Sequence, residues 1–206
     1  MNTFMQTFAL VEMSITCALV LIWLLQKVSP QDFPLALKVI LLAALGNLFF
    51  WPLGFSLELP LAAYIRGMVG DLSVVTTLLL WSAVLFNAKP VPTAFKSVIV
   101  IIAIIFYPLA LGLGMADPYA WGYASIPFLI AVLLLALICG LANWSRGVWI
   151  ISIAIIAWAA HWHESANLWD YLLDPLLAIW AAAAIIATIH QKRKEKARSG
   201  YLFRAG

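Results

Sequence analysis

Charge is what this chain has least of. Of its 206 residues, 10% are Asp, Glu, Lys or Arg and 65% are hydrophobic. Soluble chains carry about 25% charged residues, so a water-covered globule is excluded. The apolar runs are long and unbroken, which argues against the short alternating segments of a β-barrel. Cysteine is scarce too. Cys17 and Cys139 fall in predicted spans at different depths, which argues against a disulfide, and both read as small buried apolar residues. No Lys or Arg precedes the first apolar run, Glu12 interrupts it and Lys27 follows it, unlike a cleaved signal peptide. No repeat relates the two halves. A nucleic-acid partner is not expected.

What is present predicts an all-α membrane protein, a seven-transmembrane-helix bundle. The apolar runs place spans at about 4–26, 35–53, 61–86, 97–115, 126–141 and 148–162. A seventh begins at Asn167 or Asp174 and ends near His190. Pro34 and Pro60 are placed to open helices, and Asp174-Pro175 reads as an N-cap followed by the first helical residue. Residues 164–173 then form an interfacial or re-entrant piece, with Trp169 and Tyr171 at headgroup level.

The side of each loop follows from its Lys and Arg content. The tail Lys192-Arg193-Lys194-Glu195-Lys196-Ala197-Arg198 is strongly basic and belongs in the cytoplasm. Lys27, Lys38, Lys89, Lys96 and Arg146 fall on that side, and Arg66 alone on the other. The N-terminus is therefore expected outside (periplasmic) and the C-terminus in the cytoplasm. Residues 1–191 form a single transmembrane helical domain and 192–206 a basic cytoplasmic tail that attracts anionic headgroups. Short loops, and no glycosylation acceptor in an outer loop, point to a bacterial inner (cytoplasmic) membrane.

Sorted by side, the acids are unequally shared. Glu12, Glu58, Asp71, Asp117, Glu164, Asp170 and Asp174 fall in the outer half or outer loops, and Asp32 and Glu195 in the inner. Asn47, Arg66, Ser73, Tyr107, His161 and His163 join the outer or central group, while Thr76, Thr77, Ser82 and Thr188 are left in the inner halves. Ionisable side chains inside spans are costly and usually face a cavity or a partner. An outward polar pocket is the expectation, with Glu12, Asn47, Tyr107 and Asp117 in its lining. The loop 117–123, with Tyr119, Trp121 and Tyr123, is placed to lie over it.

His161, His163, Asp170 and Asp174 have the side-chain types of a site for zinc or another divalent transition metal. If the helix ends at Trp162, an extended His161-Trp162-His163 aims both imidazoles one way. A metal there could activate water against a lipid-linked ester, amide or phosphate. Asp71 or Glu164 would act as general base, and Arg66 would hold an anionic headgroup. The leading expectation is a hydrolase- or transferase-like protein that acts on or binds a lipid-linked or small anionic substrate, with membrane lipids as its surroundings. The same acids and histidines also suit a small proton- or cation-coupled transporter. A non-catalytic partner of a larger complex is the third reading, and protein partners are left open.

In its architecture, in Asp71 with Ser73, and in His161 with His163, the chain resembles seven-span hydrolases of the alkaline ceramidase and adiponectin receptor type. That resemblance implies zinc held by three histidines beside an Asp and a Ser. The chain departs from those enzymes in lacking their His-x-x-x-His spacing in the last span, and His190 lies at the opposite face, so no membership is assigned. Microbial rhodopsins share the outside N-terminus and an acid in the third span. The last span here, from Leu176 to Ala187, has no lysine for a retinal Schiff base, so retinal is not expected. Haem is not expected either, because no histidines pair across spans at two depths.

Overall fold

A computed structural model describes residues 3–54, 57–86 and 88–202. Parts of the predicted 54–60 and 87–96 loops, and the last four residues of the tail, lie outside the described residues. Nine α-helices and one two-stranded hairpin are described, and the contacts divide them into two units.

The first unit comprises residues 1–90 and 120–172. It opens with α1 (Thr3–Val28), whose 26 residues reach about 39 Å. Next is α2 (Leu35–Phe50), with Pro34 extended at its N-cap. The predicted loop that follows is in part a short antiparallel hairpin, β1 (Pro52–Gly54) on β2 (Leu57–Pro60), with Pro52 opposite Pro60.

The predicted third span, 61–86, is two helices. α3 (Leu61–Val69) ends at Gly70, whose φ of +80° suits glycine. α4 (Val74–Phe86) restarts after Ser73, whose Oγ accepts Thr76 N at 3.2 Å. Residues 70–73 between them are not helical.

α6 (Ile126–Leu141) and α7 (Ser145–Ala159) are joined by a tight turn with Asn143 at φ 55°. The connection after α7 holds one short helix, α8 (Trp169–Leu172).

α1 packs on α2, α3 and α4, while α7 packs on α4, α6 and α8. Leu19, Ile22 and Val84 form a buried apolar cluster walled by Leu41, Leu45 and Trp81, among others. Lys38 is 1% exposed there. Its Nζ donates to Val84 O at 2.7 Å, a cation on one of the last carbonyls of α4.

The second unit comprises residues 91–119 and 173–206, with α5 (Thr93–Ala110) packed on α9 (Pro175–Leu202). Asp174 caps α9, its Oδ1 accepting Leu177 N at 2.8 Å, as Asp174-Pro175 predicts.

Among the described residues, three helices are long and apolar enough to cross a membrane: Met5–Val28, Thr93–Ala110 and Pro175–Ala197. Helices α2, α4, α6 and α7 are apolar but shorter. At 13 to 16 residues each they reach only about 20–24 Å, against a hydrocarbon core of about 30 Å. Many large apolar side chains are exposed on the long and the shorter helices alike, including Ile104 on α5, Leu137 on α6, Trp149 on α7 and Ile179 on α9.

Candidate functional site

Glu12 lies on α1 with apolar neighbours along the helix, so its carboxylate needs partners within reach. It has two. Thr77 on α4 donates from Oγ1 to Glu12 Oε1 at 3.1 Å. His163 Nε2 is 3.3 Å from Glu12 Oε2. The His163 side chain is 4% exposed and the Glu12 side chain 14%. One turn along α1, Thr16 accepts Trp81 Nε1 at 3.0 Å.

The connection 160–172 delivers His163 by a local frame. His161 and Trp162 end α7 with two return bonds, His161 N to Trp158 O at 3.0 Å and Trp162 N to Ala157 O at 2.9 Å. That closure is a Schellman motif and puts His161 at positive φ, 50°. The chain then reverses, and Tyr171 pins it from α8. The Tyr171 hydroxyl accepts His163 N at 3.0 Å and lies 2.9 Å from Ser165 O. Its ring stacks on the His163 ring with centroids 4.8 Å apart. Tyr171 is fully buried, and that burial pushes its hydroxyl above the usual phenol pKa, against the lowering effect of the His163 backbone bond. Gly122 closes the frame from another segment, its carbonyl accepting Leu168 N at 2.9 Å.

A second set of charges is more exposed. Arg66, on the short α3, makes a two-pronged contact with Asp71 in the break after Gly70. Its Nε meets Oδ1, and its Nη2 donates to Oδ2 at 2.8 Å. Glu164 Oε1 is 3.8 Å from Arg66 Nη2. Side-chain exposure is 21% for Arg66, 34% for Asp71 and 45% for Glu164. Partial burial works against ionisation of Asp71. The bonds and charge of Arg66, with His163 adding to them, override it and hold the carboxyl below its usual range.

Asp71 joins the first set at one small, partly open gap, lined by Ala9, Glu12, Met13, Thr16, Asp71, Leu72, Thr77 and His163. Its volume is about 10 Å³, enough for about one water. A small-molecule pocket usually needs about 300 Å³ or more.

The other residues singled out in the sequence go elsewhere. His161 is exposed, so the two imidazoles are not aimed alike; the reason is the left-handed turn that ends α7. Asp170 accepts the Ser165 hydroxyl, and Asp174 caps α9. Among the described residues, no three His, Cys, Asp or Glu side chains are grouped as a metal ion needs. Asn47 is exposed on α2 and bonds Ala43 O at 2.8 Å. It lines a separate, mostly apolar groove of about 280 Å³ with Val11, Ser14, Ile15 and Phe50 among others. Tyr107 and Asp117 belong to the second unit. Tyr107 meets Phe106 edge-on, and Asp117 accepts Tyr119 N at 3.0 Å.

Sequence reasoning missed Thr77 and Tyr171 as site residues. Thr77 was assigned to an inner half because residues 61–86 were read as one helix. The Gly70-Asp71-Leu72-Ser73 break was the available signal. Tyr171 had no local signal, since its partners are set by the reversal of the chain.

Comparison of the chain with protein-family models, with curated proteins and with solved structures finds no match. The chain itself defines the class: a mostly helical protein with three helices able by length and composition to cross a membrane.

Proposed function

We propose that this is a multi-pass membrane protein in which Glu12 and His163 form a proton-binding pair that couples a proton to the movement of a small solute. The observation that carries this reading is the pair itself: a carboxylate on the apolar helix α1 and an imidazole from the connection after α7, 3.3 Å apart and both largely buried. Such groups mark proton relays in membrane proteins. The alternative, hydrolysis or transfer on a lipid-linked or anionic substrate, is less well supported. Its Arg66 already holds Asp71 with two prongs, and the gap beside Glu12 admits a water and not a headgroup.

The reading includes seven crossings by α1, α2, α4, α5, α6, α7 and α9, with Arg66 and Asp71 outside the apolar helices. It places the N-terminus outside and the basic tail in the cytoplasm of a bacterial inner membrane. The distribution of Lys and Arg supports this orientation, and flanking turns would extend the shorter helices.

An infrared titration of the full chain in proteoliposomes tests the pair. A carboxyl band that titrates reversibly, and is lost in Glu12→Gln, is the expected result. A wild-type protein with no such band overturns the reading. Dye-filled vesicles then report whether candidate solutes carry protons across.

A further inference from the structure

We infer that Asp71 is the port through which the Glu12–His163 pair exchanges its proton with the outside. This rests on the proton-binding reading above and adds a route to it. Exposure falls along a line of polar groups. Glu164 is 45% exposed and Asp71 34%, then Glu12 14% and His163 4%. Of the members that line the gap, Asp71 is by far the most exposed. It is exposed on one side and lines the water-sized gap with Glu12, Thr77 and His163 on the other. Among the described residues, no ionisable group but Asp71 shares that gap with the pair.

The step balances without any further reactant. The Asp71 carboxylate takes a proton from the medium and passes it to the water in the gap. That water gives one of its own protons to the Glu12 carboxylate. Asp71 returns to its ionised form, and the water is unchanged. Arg66 opposes the first move, because its two contacts favour the ionised carboxylate. Glu164, 3.8 Å from Arg66 Nη2, competes for the same guanidinium. Arg66 therefore sets how often Asp71 carries a proton.

The groups around the gap are few. α1 presents Glu12, α3 presents Arg66, and α4 presents Thr77. The connection after α7 presents His163 and Glu164, and α8 presents Asp170 and Tyr171. The one titratable side chain of α2, Lys38, is held at Val84.

A pH jump followed by time-resolved infrared on the full chain tests the port, with each variant jumped across its own titration midpoint. Asp71→Asn is expected to keep the Glu12 band and to slow its protonation about tenfold or more, the scale of losing a positioned proton carrier. Asp71→Glu is expected to restore the rate, which a merely structural role for Asp71 does not require. Ala9→Val narrows the gap without touching an ionisable group, and is expected to slow exchange as well. It decides the matter if Asp71→Asn does not fold. An unchanged rate in the folded Asp71→Asn protein, with the band still lost in Glu12→Gln, overturns the port and leaves the pair standing. Absence of the band from wild type removes both.

Discussion

The inner pair and the outer trio use the same kinds of side chain to different ends. Glu12 and His163 are shielded, with Thr77 and Tyr171 arranged around them. Arg66, Asp71 and Glu164 lie where water reaches. A shielded carboxylate is costly to leave without a partner, because nothing then compensates its lost hydration. An exposed pair is screened and contributes little to stability. In the proposed reading, the contrast separates proton binding at the inner pair from proton entry at the outer trio.

The sharpest way to break the contrast is to disturb the frame that delivers His163. A Cβ added at Gly122 would lie 1.6 Å from Asn167 Oδ1 and 2.9 Å from the Trp169 ring. Asn167 is fully buried, and that same oxygen accepts Trp169 N at 2.9 Å, so it has little room to yield. Gly122→Ala is expected to cost about 2–4 kcal/mol, read as a lowered melting temperature in detergent. A neutral result would mean that the connection 160–172 does not need this packing.

Next comes the pair. His163→Ala leaves the Glu12 carboxylate with Thr77 alone, and about 1.5–3 kcal/mol of stability should go with it. Tyr171→Phe removes the hydroxyl bonded to the His163 and Ser165 backbones but keeps the stacked ring. A loss of about 1–2 kcal/mol is expected, with a shifted Glu12 infrared band because His163 is less firmly placed.

The outer trio should respond weakly. Asp71→Asn is expected to change stability by about 0–1 kcal/mol, and any effect should shrink as salt is raised. The sign of its pH dependence follows from the lowered carboxyl pKa. The contribution is present above the ordinary carboxylate range and is lost as pH falls through the lower, folded value. Melting curves from neutral to acid pH should therefore converge for wild type and Asp71→Asn at the acid end. A difference that grows on acidification would contradict the Arg66–Asp71 assignment. The smallest effect belongs to His161. His161→Gly suits the left-handed turn but loosens the unfolded chain, so stability should stay within about 0.5 kcal/mol and the Glu12 band should not move.

Much of the helical pattern could be read directly. The apolar runs marked α1, α2, α5, α6, α7 and α9, and Asp174-Pro175 marked the start of the last helix. Glu12 was conspicuous as an acid in an apolar run, and residues 160–175 as a polar interruption. The break in 61–86 was written in Gly70 and Ser73 but was masked by the apolar residues on either side. His161 and His163 are close in sequence but differ in burial. The turn that ends α7 leaves one outside and the other buried.

Composition and periodicity therefore determined the class of protein, since the cost of exposing apolar surface or burying charge is met residue by residue along the chain. Only the tertiary structure decided which polar groups meet. Glu12, Thr77 and His163 are 65 and 151 residues away from one another along the chain, counted from Glu12, and no local spacing encodes such a contact. It depends on α1 and α4 packing together and on Tyr171 folding the connection back beneath them. It also depends on how little space that packing leaves beside Glu12, about 10 Å³.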